Sequence, residues 1–181
     1  MPTDDDKALF SAVVMPHLGD AFALARWMTG NRTDAEDVVQ EASLRAFRAI
    51  RRYAGGDARS WVLTIVRNTA LTWMAKSRPA ALLVVDDLAA IEHNQARSGN
   101  GHDRCVADPE TEIIAKADAA RLEDAIAALP SPFRETLVLR DLQGLDYREI
   151  AHVTEAPIGT VMSRLARARQ RLVNALQDDK R

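Results

Sequence analysis

Apolar residues recur three and four positions apart through most of this 181-residue chain, the period of helices that bury one stripe. Phe10, Val14, Leu18, Phe22 and Ala25 predict a first helix over roughly Lys7 to Met28, stopped by Gly30-Asn31. Thr33-Asp34-Ala35-Glu36 has the form of a capping box, in which a hydroxyl and a carboxylate satisfy free amides at a helix start. The helix it opens should run to about Tyr53, burying Val39, Ala42, Ala46, Phe47 and Ile50 and turning Asp37, Gln40, Glu41, Leu44 and Arg48 outward. Gly55-Gly56-Asp57 breaks the chain, and an apolar helix from about Arg59 to Lys76 carries Trp61, Ile65, Val66, Leu71 and Trp73 before Ser77-Arg78-Pro79. The one β-like run, Leu82 to Val85, is too short to count as a strand.

The pattern weakens between Pro79 and Asp108. Ser98-Gly99-Asn100-Gly101-His102-Asp103 reads as flexible linker, with room for a short helix around Leu88 to Gln95. Asp108-Pro109-Glu110 then combines an N-cap, a proline suited to the first helical position and an acid in the first turn. The helix that follows should reach Leu129, with further helices over Phe133 to Leu142, Asp146 to Val153 and Gly159 to Leu176. The expected fold class is therefore all-α. Two small helical domains, 1–78 and 109–181, would be joined by a flexible linker over 79–108.

The end of the second domain is the most informative stretch. Gly144 fits a helix stop, Asp146 and Glu149 a capping box, Glu155-Ala156-Pro157 a turn, and a longer basic helix follows. Short helix, tight turn and basic helix make a helix-turn-helix. Val161, Leu165, Ala168 and Leu172 fall on the core side of the last helix. Thr160, Ser163, Arg164, Arg167 and Arg171 are left facing outward, where arginines address guanine edges or phosphates and hydroxyls bond either.

Composition changes the picture little, and charge changes it more. A single cysteine excludes an internally disulfide-stapled scaffold. Asp4, Asp5 and Asp6 stand where a secretory signal needs basic residues, and no stretch approaches about 18 uninterrupted apolar residues, so a soluble intracellular protein is expected. The net charge of −2 hides strong segregation. Met1 to Glu41 holds eight acids and three bases, Ala42 to Arg78 holds eight bases against Asp57 alone, and Pro157 to Gln177 holds four arginines and no acid. Two cationic blocks far apart in sequence suit a polyanion gripped at two places, because counterions are released wherever cations cluster.

Tyr147-Arg-Glu-Ile-Ala, followed by Pro157-Ile-Gly-Thr-Val-Met-Ser-Arg-Leu-Ala-Arg-Ala-Arg169, resembles the promoter-binding domain of the extracytoplasmic-function group of bacterial RNA polymerase sigma factors. Asp34-Ala-Glu-Asp-Val-Val-Gln-Glu41 with Arg45-Ala-Phe47 resembles the same family's polymerase-docking helix. Trp61-Val-Leu-Thr-Ile-Val-Arg-Asn-Thr-Ala70 resembles its promoter-melting helix. The resemblance implies that Asp37, Gln40, Glu41 and Leu44 meet the largest subunit of core RNA polymerase. It implies that Ile65, Asn68 and Thr72 lie against minus-ten bases, with the loop from Tyr53 to Arg59 capturing a base turned out of the stack. Thr160, Met162, Ser163, Arg164, Arg167 and Arg171 would read or clamp the minus-thirty-five element of promoter DNA. An anti-sigma factor is implied as a further partner. Glu155 stands at the bend where many relatives have glycine or aspartate, which predicts a looser turn. Met162 stands where an arginine is common, which replaces a hydrogen-bonding fork with an apolar contact.

No enzyme is expected: His17, His93 and His152 are scattered, and no Ser or Cys sits in a nucleophile motif. Asp37 and Glu41 lack the further oxygens a divalent cation needs, and His102 with Cys105 lacks two of the four ligands of a structural zinc, so neither metal nor cofactor nor small-molecule substrate is predicted. Cys105 remains open as a redox-sensing thiol. The rival functions are a stand-alone helix-turn-helix regulator, which would bind an operator without polymerase, and a helical adaptor, which would not need the C-terminal arginines.

Overall fold

The computed structural model describes residues 3–77 and 109–178. The expected linker, the optional helix at Leu88 to Gln95, the Leu82 to Val85 run and Cys105 lie outside the described residues. Those described form helices and turns, with no strand among them.

The expected first helix is two helices. α1 (Asp4–Val13) and α2 (Leu18–Thr29) are separated by a 3-10 turn at Met15–His17. Pro16 sits in that turn, where it has no N–H to give and its ring clashes with the preceding turn of a helix. Within Asp4–Thr29 an 18-residue window has a mean hydropathy of 1.5, enough by length and composition alone to pass for a membrane span. Val14, Ala21, Leu24 and Ala25 are almost fully buried in the core, while Leu9 and Met15 are exposed. Gly30, at φ 86, closes α2 in the left-handed conformation that glycine adopts without cost.

α3 (Arg32–Ala49) begins two residues before the expected capping box. Asn31 is the N-cap, its side chain accepting from the Asp34 amide at 2.8 Å, so Thr33 lies inside the first turn. The buried stripe is accordingly Ala35, Val38, Ala42 and Ala46, with Val39 only partly covered. A 3-10 turn over Ile50–Arg52 and the paired glycines Gly55 and Gly56, both at positive φ, lead into α4 (Ala58–Ser77). Asp57 accepts from the amides of Arg59 and Ser60 at 3.1 and 3.2 Å and caps it. α2, α3 and α4 pack against one another, and the Asp6 carboxylate, bonded by Arg51 at 2.6 Å, fastens α1 beneath the end of α3.

In the second unit, α5 (Pro109–Ala127) is followed by Pro130-Ser131-Pro132, and α6 (Ser131–Leu137) winds at once into a π turn over Val138–Leu142. The expected α-helix to Leu142 is therefore wider in its last turn. α7 (Tyr147–Thr154) opens on the anticipated box: the Asp146 carboxylate accepts from the Glu149 amide at 2.8 Å, and the Glu149 carboxylate accepts from the Asp146 amide. The bend before α8 (Ile158–Asp178) is not loosened by Glu155. That residue takes φ 52 and ψ 37, and the Ala156 amide donates back to the Ala151 carbonyl at 3.1 Å, as a tight helix stop requires. Val161, Leu165 and Ala168 are buried on the inner side of α8 as their spacing predicts.

The two units touch. α7 lies along α4, and α6 lies against α2.

Candidate nucleic-acid and docking interfaces

Three polar faces emerge from this packing. The first is the outer side of α3. Once Ala35, Val38 and Ala42 turn inward, Asp37 and Gln40 stand exposed, Glu41 is half-exposed and Leu44 presents 49% of its surface to water. Arg45 donates to Glu41 at 2.8 Å and, with the charges of Arg48 and Lys76, holds that carboxyl below its ordinary range. Glu41 is thus an anion across the physiological range.

The second face is the outer side of α8. Met162, Ser163 and Arg167 are exposed, with Met162 at 52%, while Thr160 and Arg164 are half-buried. The Ser163 hydroxyl donates to the Thr160 carbonyl at 3.0 Å. Arg171 is also exposed, yet its guanidinium lies 5.1 Å over the Phe133 ring, which sets it toward the flank of the helix. Arg169 is tied to Asp141 at 2.6 Å. The side chains free to address a groove are therefore concentrated in the first half of α8, next to the bend.

The third face is on α4, and here packing intervenes. Asn68 and Thr72 are exposed and Ile65 is half-buried. Thr72 donates to the Asn68 carbonyl at 2.8 Å, which keeps its hydroxyl on the helix. Arg59 is held: Nε reaches Asp20 at 2.6 Å and Nη2 donates to the Gln143 carbonyl at 2.8 Å. The Asn68 amide donates to Glu155 Oε1 at 3.5 Å. Of the residues expected at the minus-ten element, Arg59 and Asn68 are thus engaged by the C-terminal unit. Tyr53 and Trp61 stack obliquely at 5.1 Å between ring centres, and with Arg52, Asp57 and Ser60 they line a cleft of about 340 Å³ whose far wall is Arg148, Glu149 and His152 of α7. The loop expected to capture a base is one side of that cleft.

Sequence reading missed the residues that join the units. Arg67 forms an ion pair with Glu135 across them, with side chains 14% and 4% exposed. Burial pushes the Glu135 carboxyl above its ordinary range, against the pull of Arg67 and the more distant Arg164. Gln143 Nε2 donates to the Asp20 carbonyl at 2.8 Å, and Arg134 donates to the Trp27 carbonyl at 3.0 Å. The only hint was Glu135 itself, an acid two residues after Phe133 and two before the apolar Leu137-Val138-Leu139. Among the described residues no group of three acidic, histidine or cysteine side chains is placed to hold a metal ion.

Comparison with known proteins agrees with this layout. Residues 13–79 match the family model for Sigma-70 region 2, and residues 119–172 match that for Sigma-70, region 4. The ECF RNA polymerase sigma-E factor of Haemophilus influenzae is 33% identical over 176 residues, covering 95% of this chain and 89% of its own. That of Escherichia coli K12 is 34% identical, covering 96% and 88%. The RNA polymerase sigma-H factor of Pseudomonas aeruginosa is 31% identical over a similar span. Among solved structures, the Bartonella quintana sigma factor RpoE, in complex with the anti-sigma factor NepR, aligns with a TM-score of 0.66 at 24% identity over 93% of this chain and 96% of that one. CnrH, in complex with the cytosolic domain of CnrY, aligns with a TM-score of 0.59 at 24% identity over 94% and 88%.

Proposed function

The chain belongs to the extracytoplasmic-function group of RNA polymerase sigma factors, and from that premise we propose a division of labour among its three faces. As a transcription initiation factor it binds core RNA polymerase and directs initiation at promoters carrying minus-thirty-five and minus-ten elements. Residues 1–78 form the docking and minus-ten domain, 79–108 connect, and 109–181 form the minus-thirty-five domain. Asp37, Gln40 and Glu41 present carboxylates and an amide to a basic surface of polymerase, with Leu44 buried at the centre of that contact.

In the second domain Thr160, Met162, Ser163 and Arg167 read the major groove from the first half of α8, and Arg164 and Arg171 clamp phosphates beside it. On α4, Ile65, Asn68 and Thr72 meet the minus-ten bases, and Arg59 with the Tyr53 to Trp61 loop receives an unstacked base, which lowers the cost of opening the duplex. The chain makes and breaks no covalent bond of DNA. It works in the cytoplasm, where polymerase and chromosome are, and an anti-sigma factor is its regulator, as for the two structural relatives solved with one.

The observation that carries this reading is the presence of both region models, in order, on a chain one-third identical to sigma-E factors over nearly its whole length. Run-off transcription with purified core polymerase and a promoter library tests it. A start-site-specific transcript dependent on this chain is expected, and none from any template would overturn it.

A further inference from the structure

The π turn over Val138–Leu142 is a winding that is rare and often placed at functional sites. It sends two adjacent charged residues to different neighbours. Arg140 stays with the loop that opens α7, donating to the Leu145 carbonyl at 2.6 Å and lying 4.9 Å over the Tyr147 ring. Asp141 reaches α8 instead, where its two carboxylate oxygens accept from Nε and Nη2 of Arg169 at 3.1 and 2.6 Å. The same turn leaves Leu142 52% exposed.

A two-bonded pairing of this kind fixes where a guanidinium points. It adds little stability here, because the Arg169 and Asp141 side chains are 52% and 36% exposed and water screens them. Nor does α8 depend on it for its seat. Val161, Leu165 and Ala168 are buried beneath that helix, and Arg171 lies over the Phe133 ring on the other flank. What the pair changes is the charge that α8 offers to DNA.

Met162, Ala166 and Arg169 fall four and three residues apart, so they share one flank of α8, and all three are exposed. Arg169 therefore stands beside the groove-reading side, about 10 Å along the helix from Met162. From there a released guanidinium has the reach to meet a phosphate at the groove edge. Such a contact carries no sequence information, since every nucleotide presents the same phosphate. It would favour loosely held, wrongly placed complexes most, because a helix already fixed by base contacts has less freedom to gain from it.

We propose that Asp141 is a specificity-determining residue: it holds Arg169 away from phosphate, so that α8 grips DNA through the side chains that read bases and less through charge. The proposal rests on the sigma-factor reading of α8 as the minus-thirty-five helix.

The test uses holoenzyme reconstituted from core polymerase and the full chain. Binding is measured over a range of salt on a promoter duplex and on one with a scrambled minus-thirty-five element. Asp141→Asn, which keeps the shape and loses the charge, should steepen the fall of log K with log salt by about 0.9, the contribution of one phosphate. At low salt it should bind the scrambled duplex several-fold more tightly while promoter binding gains less, so discrimination falls. The Asp141→Asn, Arg169→Gln double variant should return to the wild-type slope, because the gain comes from the released guanidinium and not from removing a negative charge near DNA. Asp141→Glu, which keeps the carboxylate, should discriminate as the wild type does.

Wild-type discrimination with an unchanged slope in Asp141→Asn overturns the proposal alone and leaves the pair a structural tie. A steeper slope that persists in the double variant overturns it as well. A wild-type holoenzyme that binds promoter and scrambled duplex alike would overturn the sigma-factor reading and this proposal together.

Discussion

α4 and α8 are both cationic helices of about twenty residues, and they differ in how many sides are packed. α8 buries one stripe, Val161, Leu165 and Ala168, and leaves Met162, Ser163 and Arg167 in water. α4 is apolar nearly all round, with Val62, Leu63, Val66 and Ala70 buried and Trp61, Ile65, Leu71 and Trp73 partly so, and it packs on α2, α3 and α7 together. Among the described residues of α4 only Asn68, Thr72 and the Ala75-Lys76 turn are left exposed, so the helix keeps one narrow polar strip. Arginine content therefore does not measure availability to DNA: Arg167 is free to reach a groove, and Arg67 is 14% exposed against a buried glutamate.

The sharpest way to break that contrast is truncation. Leu63→Ala, at a fully buried position of α4, is expected to cost about 2–5 kcal/mol. Met162→Ala on α8 should stay within about 0.5 kcal/mol while changing which promoters are transcribed; equal melting temperatures for the two would erase the distinction. Next in size, Arg167→Ala should lose about 1–3 kcal/mol of promoter binding if it forks onto a base, seen as reduced run-off transcript with core binding near normal. An equal loss of core binding would remove Arg167 from the DNA face.

Reversing Asp37 and Glu41 to lysine should do the opposite, weakening capture of core polymerase roughly tenfold while leaving the melting temperature unchanged. Undiminished co-purification would take these residues out of docking. The smallest effect concerns pH. Burial raises the Glu135 carboxyl in the folded chain, with Arg67 and Arg164 the charged groups facing it. The folded state then holds its proton more tightly than the unfolded one. Its contribution is complete below the ordinary glutamate value and fades as pH climbs through the raised one. The melting temperature should lose a modest contribution as pH rises through that raised value, and Glu135→Gln should flatten that dependence.

Much of the site was legible because its signals are local. The Asp146 and Glu149 box, the step of four, three and four on α8, and the outward set Asp37, Gln40 and Leu44 all follow from residues within two turns of one another. Errors came where two local signals competed. Asn31 outbid Thr33 for the N-cap of α3, and Pro16 cut a stripe whose apolar period runs straight through it. At the bend, Glu155 tolerated the left-handed state that its side chain disfavours, because the Ala151 carbonyl and the packing of α7 on α4 over-determine it.

The amino-acid order alone determined which segments are helical, where most of them stop and which side of α8 faces water, since capping and periodicity act over a few residues. Only the folded chain decided that Arg67 finds Glu135, that Arg59 lies between Asp20 and the Gln143 carbonyl, and that Asn68 meets Glu155. Those partners are separated by dozens of residues, and the entropy of bringing distant segments together varies too slowly with their spacing to favour one pairing over another. Shape and burial make that choice, when α7 is laid along α4.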